Sequence, residues 1–287
     1  MEKFDININN DYNKGTYLNA NEAWTALYHG LNLYGDESAP RGQKVRETLE
    51  CDIKILNPMD NLVYSKSRAL SPYYIAGEYE WYKSASNKAS DIEGHSKFWK
   101  KIANPDGTVN SGYGYYIFKE DENGVTEFDK TIEILRKDPD SRQAVLQIPI
   151  MINRGKSDTP CTSSIQFILR NNKLNCTVYM RSNDIWLGFP YDVFNFTMWQ
   201  IEIAKKLGVE LGWYRHVVGS LHVYESQFIE NTKNLSFETL DNERYEDVED
   251  KFTESFLNDL KILDKKIDAG ISSEILRNMV LHYKFLK

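Results

Sequence analysis

The chain has 287 residues, 41% of them apolar, with 18 tyrosines, 13 phenylalanines and a formal net charge of −7. That length buries one sizeable core without forcing a split, so a single domain over residues 1–287 is expected. The acidic balance excludes a general grip on nucleic acid, although a local cluster of arginines still suits a small phosphorylated ligand. Cys51, Cys161 and Cys176 show no repeated spacing, so neither a disulfide framework nor a metal site is expected. The polar opening MEKFDININN, and the lack of an apolar run near the ~20 residues of a membrane span, lead to the expectation of a cytoplasmic protein without membrane contact.

Residues 20–34 are expected to form a helix, with Ala23, Trp24, Leu27 and Leu31 on one stripe. The polar stretch 36–42, closed by Pro40 and Gly42, is expected to be a loop. Ser71 caps a helix opened by Pro72, and Thr126 with Asp129 starts another in capping-box fashion. The period then changes. Residues 144–150 and 164–170 are expected as strands, with Asn171-Asn172-Lys173 as the turn into a third. In that strand Leu174, Cys176, Val178 and Met180 alternate with Asn175, Thr177, Tyr179 and Arg181, giving one apolar and one polar face. A long buried helix is expected from Tyr191 to Lys206, ending near Gly208. A strand follows from Trp213 to Tyr224, its even face carrying His216, Val218, Ser220, His222 and Tyr224. Helices fill the remainder. Strands and helices do not alternate regularly, so the fold class is α+β.

Several residues carry chemistry in this frame. Cys161 lies just ahead of a strand among Thr162, Ser163 and Ser164, where a thiolate is stabilised; a buried structural cysteine is the rival reading, and it fits Cys51 and Cys176. Tyr74, Glu78, Trp81 and Tyr82 fall on one helix face, so the Glu78 carboxylate is expected to be desolvated among aromatics, as suits an acid/base group; a place at the edge of the solvent face marked by Glu80 and the neighbouring lysines is the rival reading. Asp192 follows Pro190-Tyr191 at a helix start, where an aspartate caps helices as readily as it binds a ligand. His29, His95, His216 and His282 have no supporting pattern and are expected to be ordinary residues.

The ordered set Pro160-Cys161, Arg181-Ser182-Asn183-Asp184, Gly188-Phe189-Pro190-Tyr191-Asp192 and His222-Val223-Tyr224 resembles the thymidylate synthase family. The likeness is tightest over about residues 138–227 and extends more loosely over 72–117. It implies a thymidylate synthase fold, with a large mixed sheet flanked by helices and a homodimer through the sheet face. It also implies 5,10-methylenetetrahydrofolate as cosubstrate and a pyrimidine nucleoside monophosphate as substrate. Cys161 is then the nucleophile on C6 of the base, which makes C5 a carbon nucleophile. Glu78 relays protons and activates water, and Tyr113 is an active-site tyrosine. Arg181, Ser182, Arg41 and Arg142 hold phosphate, with Arg142 donated across the dimer interface. His222 and Tyr224 hold the sugar, and Asp184, Gly188 and Trp99 serve the folate.

This chain departs from the family's pattern in four places. Thr162 replaces the usual histidine after the nucleophile, Arg142-Gln143 replaces a pair of arginines, and no family-like closing segment is recognisable in residues 278–287. The fourth is Asp192, where uracil-acting members have an amide. A carboxylate opposite O4 of uracil sets acceptor against acceptor, whereas opposite cytosine it accepts from the N4 amino group and shares a proton at N3. The resemblance therefore points to the branch that hydroxymethylates dCMP. CMP hydroxymethylation, dCMP methylation, dUMP methylation with Asp192 as a cap, and an idle nucleotide-binding homologue are the alternatives.

Overall fold

The computed structural model describes residues 12–63, 68 and 70–228. In chain order the elements are β1 (Thr16–Tyr17), α1 (Ala20–Tyr34), β2 (Asp36–Ser38), β3 (Val45–Ile55), α2 (Pro72–Lys83), α3 (Phe98–Ile102), α4 (Tyr113–Phe118) and α5 (Glu127–Lys137). They continue with β4 (Val145–Gln147), β5 (Thr162–Arg170), β6 (Lys173–Asp184), α6 (Phe189–Leu207) and β7 (Glu210–Tyr224). The expected helices at residues 20, 72 and 126 and the hairpin are present. Residues 36–42 correct the expectation of a loop, because Asp36–Ser38 pair with β3 and Pro40–Gly42 form a single 3-10 turn. The helices expected after residue 228, the closing segment 278–287 and His282 lie outside the described residues.

The chain gathers into two compact units. Among the described residues the first holds 12–63, 128–150 and 161–228; the second holds 68, 70–127 and 151–160. In the first unit one mixed sheet runs β1-β3-β7-β6-β5-β4, with β2 beside β3; β6 and β7 are parallel, and β3/β7, β5/β6 and β4/β5 are antiparallel. Asn171 and Asn172 both have positive φ (53° and 59°), the conformation of a tight two-residue hairpin turn, which asparagine tolerates.

Helix α6 covers the sheet. Val193, Phe194, Phe196, Trp199 and Ile203 are fully buried along it, and each large side chain of this kind stabilises the fold by about 1.5–3 kcal/mol. Gly208 ends the helix at φ 70°, where its N–H closes on the Ala204 and Lys205 carbonyls. In β6 Leu174, Cys176 and Val178 are fully buried, but Asn175 and Thr177 on the expected polar face are buried as well, so burial alternates only from Val178 onward, where Tyr179 is 37% exposed. In β7 burial alternates with one inversion. Tyr214, His216 and Val218 are buried, the pattern inverts at Gly219–Ser220, and Leu221 and Val223 are buried beyond it. Opposite this break the β3 ladder skips Glu50, whose φ is +56°. The expected common face from His216 to Tyr224 is thus corrected: His216 and Val218 lie inside, while Ser220, His222 and Tyr224 are half-exposed.

In the second unit α2 starts as its sequence dictates, with Ser71 Oγ accepting from Tyr74 N at 3.2 Å. Asp158, buried at 5% exposure, accepts from the N–H groups of Asn110 (2.6 Å) and Ser111 (2.9 Å) and from the Ser111 hydroxyl, fixing the entry to α4. Among the described residues no helix is long and apolar enough to cross a membrane.

Candidate active site

Most of the expected site residues converge at one end of the first unit's sheet. Cys161 immediately precedes β5 and is half-buried; Arg181, near the end of β6, points Nη2 at its sulfur from 3.6 Å. A guanidinium at that distance favours the thiolate and orients it. Ser182 follows, its Oγ 3.3 Å from His222 Nδ1 on the neighbouring β7. His222 and Tyr224 stack edge to face with centroids 5.2 Å apart. Both stand on the accessible side created by the inversion of β7.

Arg41 projects from the 3-10 turn with its own backbone in the left-handed region (φ 55°, ψ 29°), a conformation that a non-glycine residue holds only at some expense. Its charge and a side-chain hydrogen bond act on the Tyr224 phenol, whose pKa is pushed up chiefly by burial and also by the charges of Asp184 and Cys161. Arg41, Asp184 and Cys161 therefore all lie close enough to act on Tyr224. Arg142, by contrast, is exposed ahead of β4 and has no side-chain hydrogen bond or ion pair among the described residues. Only its backbone carbonyl is used, accepting from Gln166 Nε2 at 3.1 Å.

Asp184 ends β6, and its Oδ1 accepts from the backbone N–H groups of Trp186 (2.7 Å) and Leu187 (2.9 Å). Beside it the Trp186 ring leans on Tyr28 (5.0 Å between centroids) and Trp24 (5.8 Å). An anchored carboxylate acceptor next to a flat aromatic surface fits the pterin of a folate, whose amino and ring N–H groups require acceptors.

Asp192 settles the question its sequence position left open. Gly188, not Asp192, is the N-cap of α6, and Asp192 lies in the first turn with its own N–H bonded to Gly188 O. Its carboxylate caps nothing: Oδ2 accepts from Asn183 Nδ2 at 2.7 Å. Burial pushes the Asp192 pKa up to about 7; the Asn183 hydrogen bond opposes this and the nearby Asp184 charge adds to it. Gly188 also has a task that the resemblance did not name. A Cβ there would stand 2.9 Å from Asn183 Nδ2 and 3.2 Å from Asp192 Oδ2, so only glycine leaves room for that pair.

Sequence reasoning missed Asn183 and took His216 for an ordinary residue. His216 is fully buried in contact with Asn183 Oδ1 (Nε2, 3.0 Å) and the Tyr214 hydroxyl (Nδ1, 2.8 Å), and burial pushes its pKa down to about 3. The signal was faint: an Asn between the Arg181-Ser182 pair and the carboxylate Asp184 looks like a strand end.

The second unit carries a cluster of its own. Glu78 is 4% exposed and its Oε1 accepts from the Tyr74 hydroxyl at 2.7 Å, which in turn accepts from Trp99 Nε1 at 3.0 Å. Trp99 packs against Trp81 with centroids 5.0 Å apart. Tyr113 is buried at the start of α4 and stacks on Tyr82 (5.8 Å). The expected desolvated carboxylate on an aromatic helix face is therefore present.

Comparison with known proteins adds the remaining finding. The profile of the thymidylate synthase family matches residues 48–276. The deoxycytidylate 5-hydroxymethyltransferase of Enterobacteria phage T4 is 36% identical over 178 residues, 56% of this chain and 70% of that protein. The deoxyuridylate hydroxymethyltransferase of Bacillus phage SP01 is 31% identical over 203 residues, 66% of this chain and 53% of that protein. In fold, the thermostable thymidylate synthase A from Bacillus subtilis superposes with a TM-score of 0.61 at 22% identity, covering 75% of this chain and 83% of that one.

Proposed function

Because the chain belongs to the thymidylate synthase family, whose members are folate-dependent one-carbon transferases acting on pyrimidine nucleotides, we propose that it converts dCMP to 5-hydroxymethyl-dCMP. The observation that carries this reading is Asp192. Its Oδ2 is held by Asn183, its Oδ1 is left for a ligand, and its pKa of about 7 lets it hold or share a proton at neutral pH. That edge complements N3 and the N4 amino group of cytosine and opposes uracil at O4. A mismatched buried polar pair costs about 1–3 kcal/mol, roughly 10- to 100-fold in discrimination.

The other roles are those the family resemblance implies, with the geometry described above in support. The Cys161 thiolate, oriented by Arg181, adds to C6; as it does so N3 gains basicity, and the Asp192 contact strengthens toward the transition state. Arg181, Ser182 and Arg41 bind the phosphate, with Arg142 supplied by a second subunit. His222 and Tyr224 bind the sugar. Tyr179 and the Asp52–Arg215 ion pair lie on the sheet face turned away from Val178 and His216, and that face is the one we assign to the homodimer. Asp184 and the Trp186 ring, with Gly188 nearby, hold methylenetetrahydrofolate, which supplies the one-carbon unit when bound; Trp99 is kept as a folate residue on the family resemblance alone. Glu78, held by Tyr74, moves protons and positions water, and Tyr113 assists it.

Tritium release from [5-³H]dCMP, [5-³H]CMP and [5-³H]dUMP with methylenetetrahydrofolate, followed by mass analysis, tests the proposal. Release from dCMP with a hydroxymethyl product is expected. Release from dUMP alone would reject the assignment of Asp192 as cytosine reader.

A further inference from the structure

The Asn183 amide lies between two groups, with Nδ2 donating to Asp192 Oδ2 and Oδ1 facing His216 Nε2, while His216 Nδ1 faces the Tyr214 hydroxyl. An amide and a neutral imidazole each have one donating and one accepting side, so this string has two self-consistent directions. They differ at its far end. In one direction Tyr214 donates its proton to Nδ1, Nε2–H donates to Asn183 Oδ1, and the amide NH2 faces Asp192. In the other, Nδ1–H donates to Tyr214 and the phenolic proton must find another acceptor. Tyr214 and His216 are both fully buried, and among the described residues the Tyr214 hydroxyl has no other partner. A buried O–H without an acceptor is expensive, so the first direction prevails.

We propose that Tyr214 and His216, acting through Asn183, are positioning residues that hold the amide NH2 toward Asp192 and thereby place the carboxyl proton of Asp192 on Oδ1, the oxygen left for the base. This rests on the reading of Asp192 as the cytosine reader and deepens it. Oδ2 already receives an N–H, so a proton on that oxygen would meet a donor. With the proton on Oδ1, the carboxyl offers O–H to N3 and its carbonyl oxygen to the N4 amino group. A flipped amide would draw the proton to Oδ2 and leave only an acceptor facing N3. Burial keeps His216 neutral down to a pKa of about 3, so the string does not reverse by taking up a proton. The titratable group that acts on Asp192 is Asp184, whose charge raises its pKa; the Asp192 charge acts in turn on Tyr214, which stays protonated because burial raises its own pKa.

Nitrogen-15 NMR of the ligand-free protein reads the direction without substrate. The chain has five histidines, and His216→Gln identifies the signal. A neutral ring with the proton on Nε2 and no titration between about pH 5 and 9 is expected. A proton on Nδ1, or an imidazolium, overturns the proposal. A second measurement follows dCMP binding against pH. Wild-type affinity should weaken above about pH 7, as Asp192 ionises. In Asn183→Ala the carboxylate loses its donor, so the midpoint should move to higher pH while affinity below it drops about 10-fold. A uniform loss at every pH with the midpoint unmoved would reduce Asn183 to a packing residue and sink the idea. If the wild type binds no dCMP yet His216 has its proton on Nε2, the cytosine reading fails and the direction of the string stands.

Discussion

Replacing Asp192 by asparagine should change how stability depends on pH. In the folded protein, burial moves this carboxyl from its ordinary 3.8 to about 7. The unfolded chain ionises it near the ordinary value, so between those two pH values the folded state holds a proton that the unfolded state has released. The contribution to stability is fully present below about pH 4 and is lost as pH rises through about 7, above which the folded protein carries a desolvated carboxylate. A shift of about three units, at about 1.4 kcal/mol per unit, amounts to about 4 kcal/mol. Asp192→Asn preserves shape, and its carbonyl still accepts from Asn183 Nδ2, but the titration is gone. Urea unfolding of both proteins should show the variant near parity at about pH 4 and more stable by up to about 4 kcal/mol at about pH 8. A difference that stays flat across that range would refute the desolvation argument, because the carboxylate would then be ionised throughout. The same substitution turns the base-facing edge into one that suits uracil. Turnover of dCMP should fall about 10- to 100-fold while dUMP gains.

Three further outcomes are expected. Cys161→Ala should abolish tritium release while dCMP binding, measured by calorimetry, survives within about threefold, since phosphate and base contacts remain; retained turnover would remove Cys161 from the chemistry. Mixing and refolding Cys161→Ala with Arg142→Ala should restore about a quarter of wild-type activity, because half the dimers are mixed and each has one intact site if Arg142 acts in the partner. No recovery would mean that Arg142 serves its own subunit. Gly188→Ala should destabilise the protein by about 1–3 kcal/mol and lower dCMP affinity, because its Cβ would press on Asn183 Nδ2 and Asp192 Oδ2; wild-type affinity and midpoint would show that the pair gives way without consequence.

Much of the frame was legible in local pattern. The stripe of Ala23, Trp24, Leu27 and Leu31, the Ser71 cap, the Asn171-Asn172 turn and the Gly208 stop each depend on neighbours in the chain, and each appears where expected. Residues 36–42 misled because three residues of strand become worth forming only when β3 offers its edge. The inversion of β7 at Gly219 was invisible for a similar reason: its alternation is broken opposite Glu50, 169 positions away in sequence, and a single strand read alone keeps its period.

The sequence by itself determined the chemistry available: a Cys ahead of a strand, an Arg-Ser pair, a carboxylate on an aromatic helix face and an aspartate at a helix start. Only the tertiary structure decided that Asp192 does not cap its helix. Helix-start aspartates look alike in sequence whether they cap or bind, since both uses need the same side chain. The choice came from Asn183, nine residues away, which takes Oδ2, and from burial, which raises the carboxyl toward neutrality. The direction of that hydrogen bond was set in turn by His216 and Tyr214 on another strand. Hydrogen-bond polarity and desolvation are properties of what surrounds a residue in space, and no local pattern of letters encodes them.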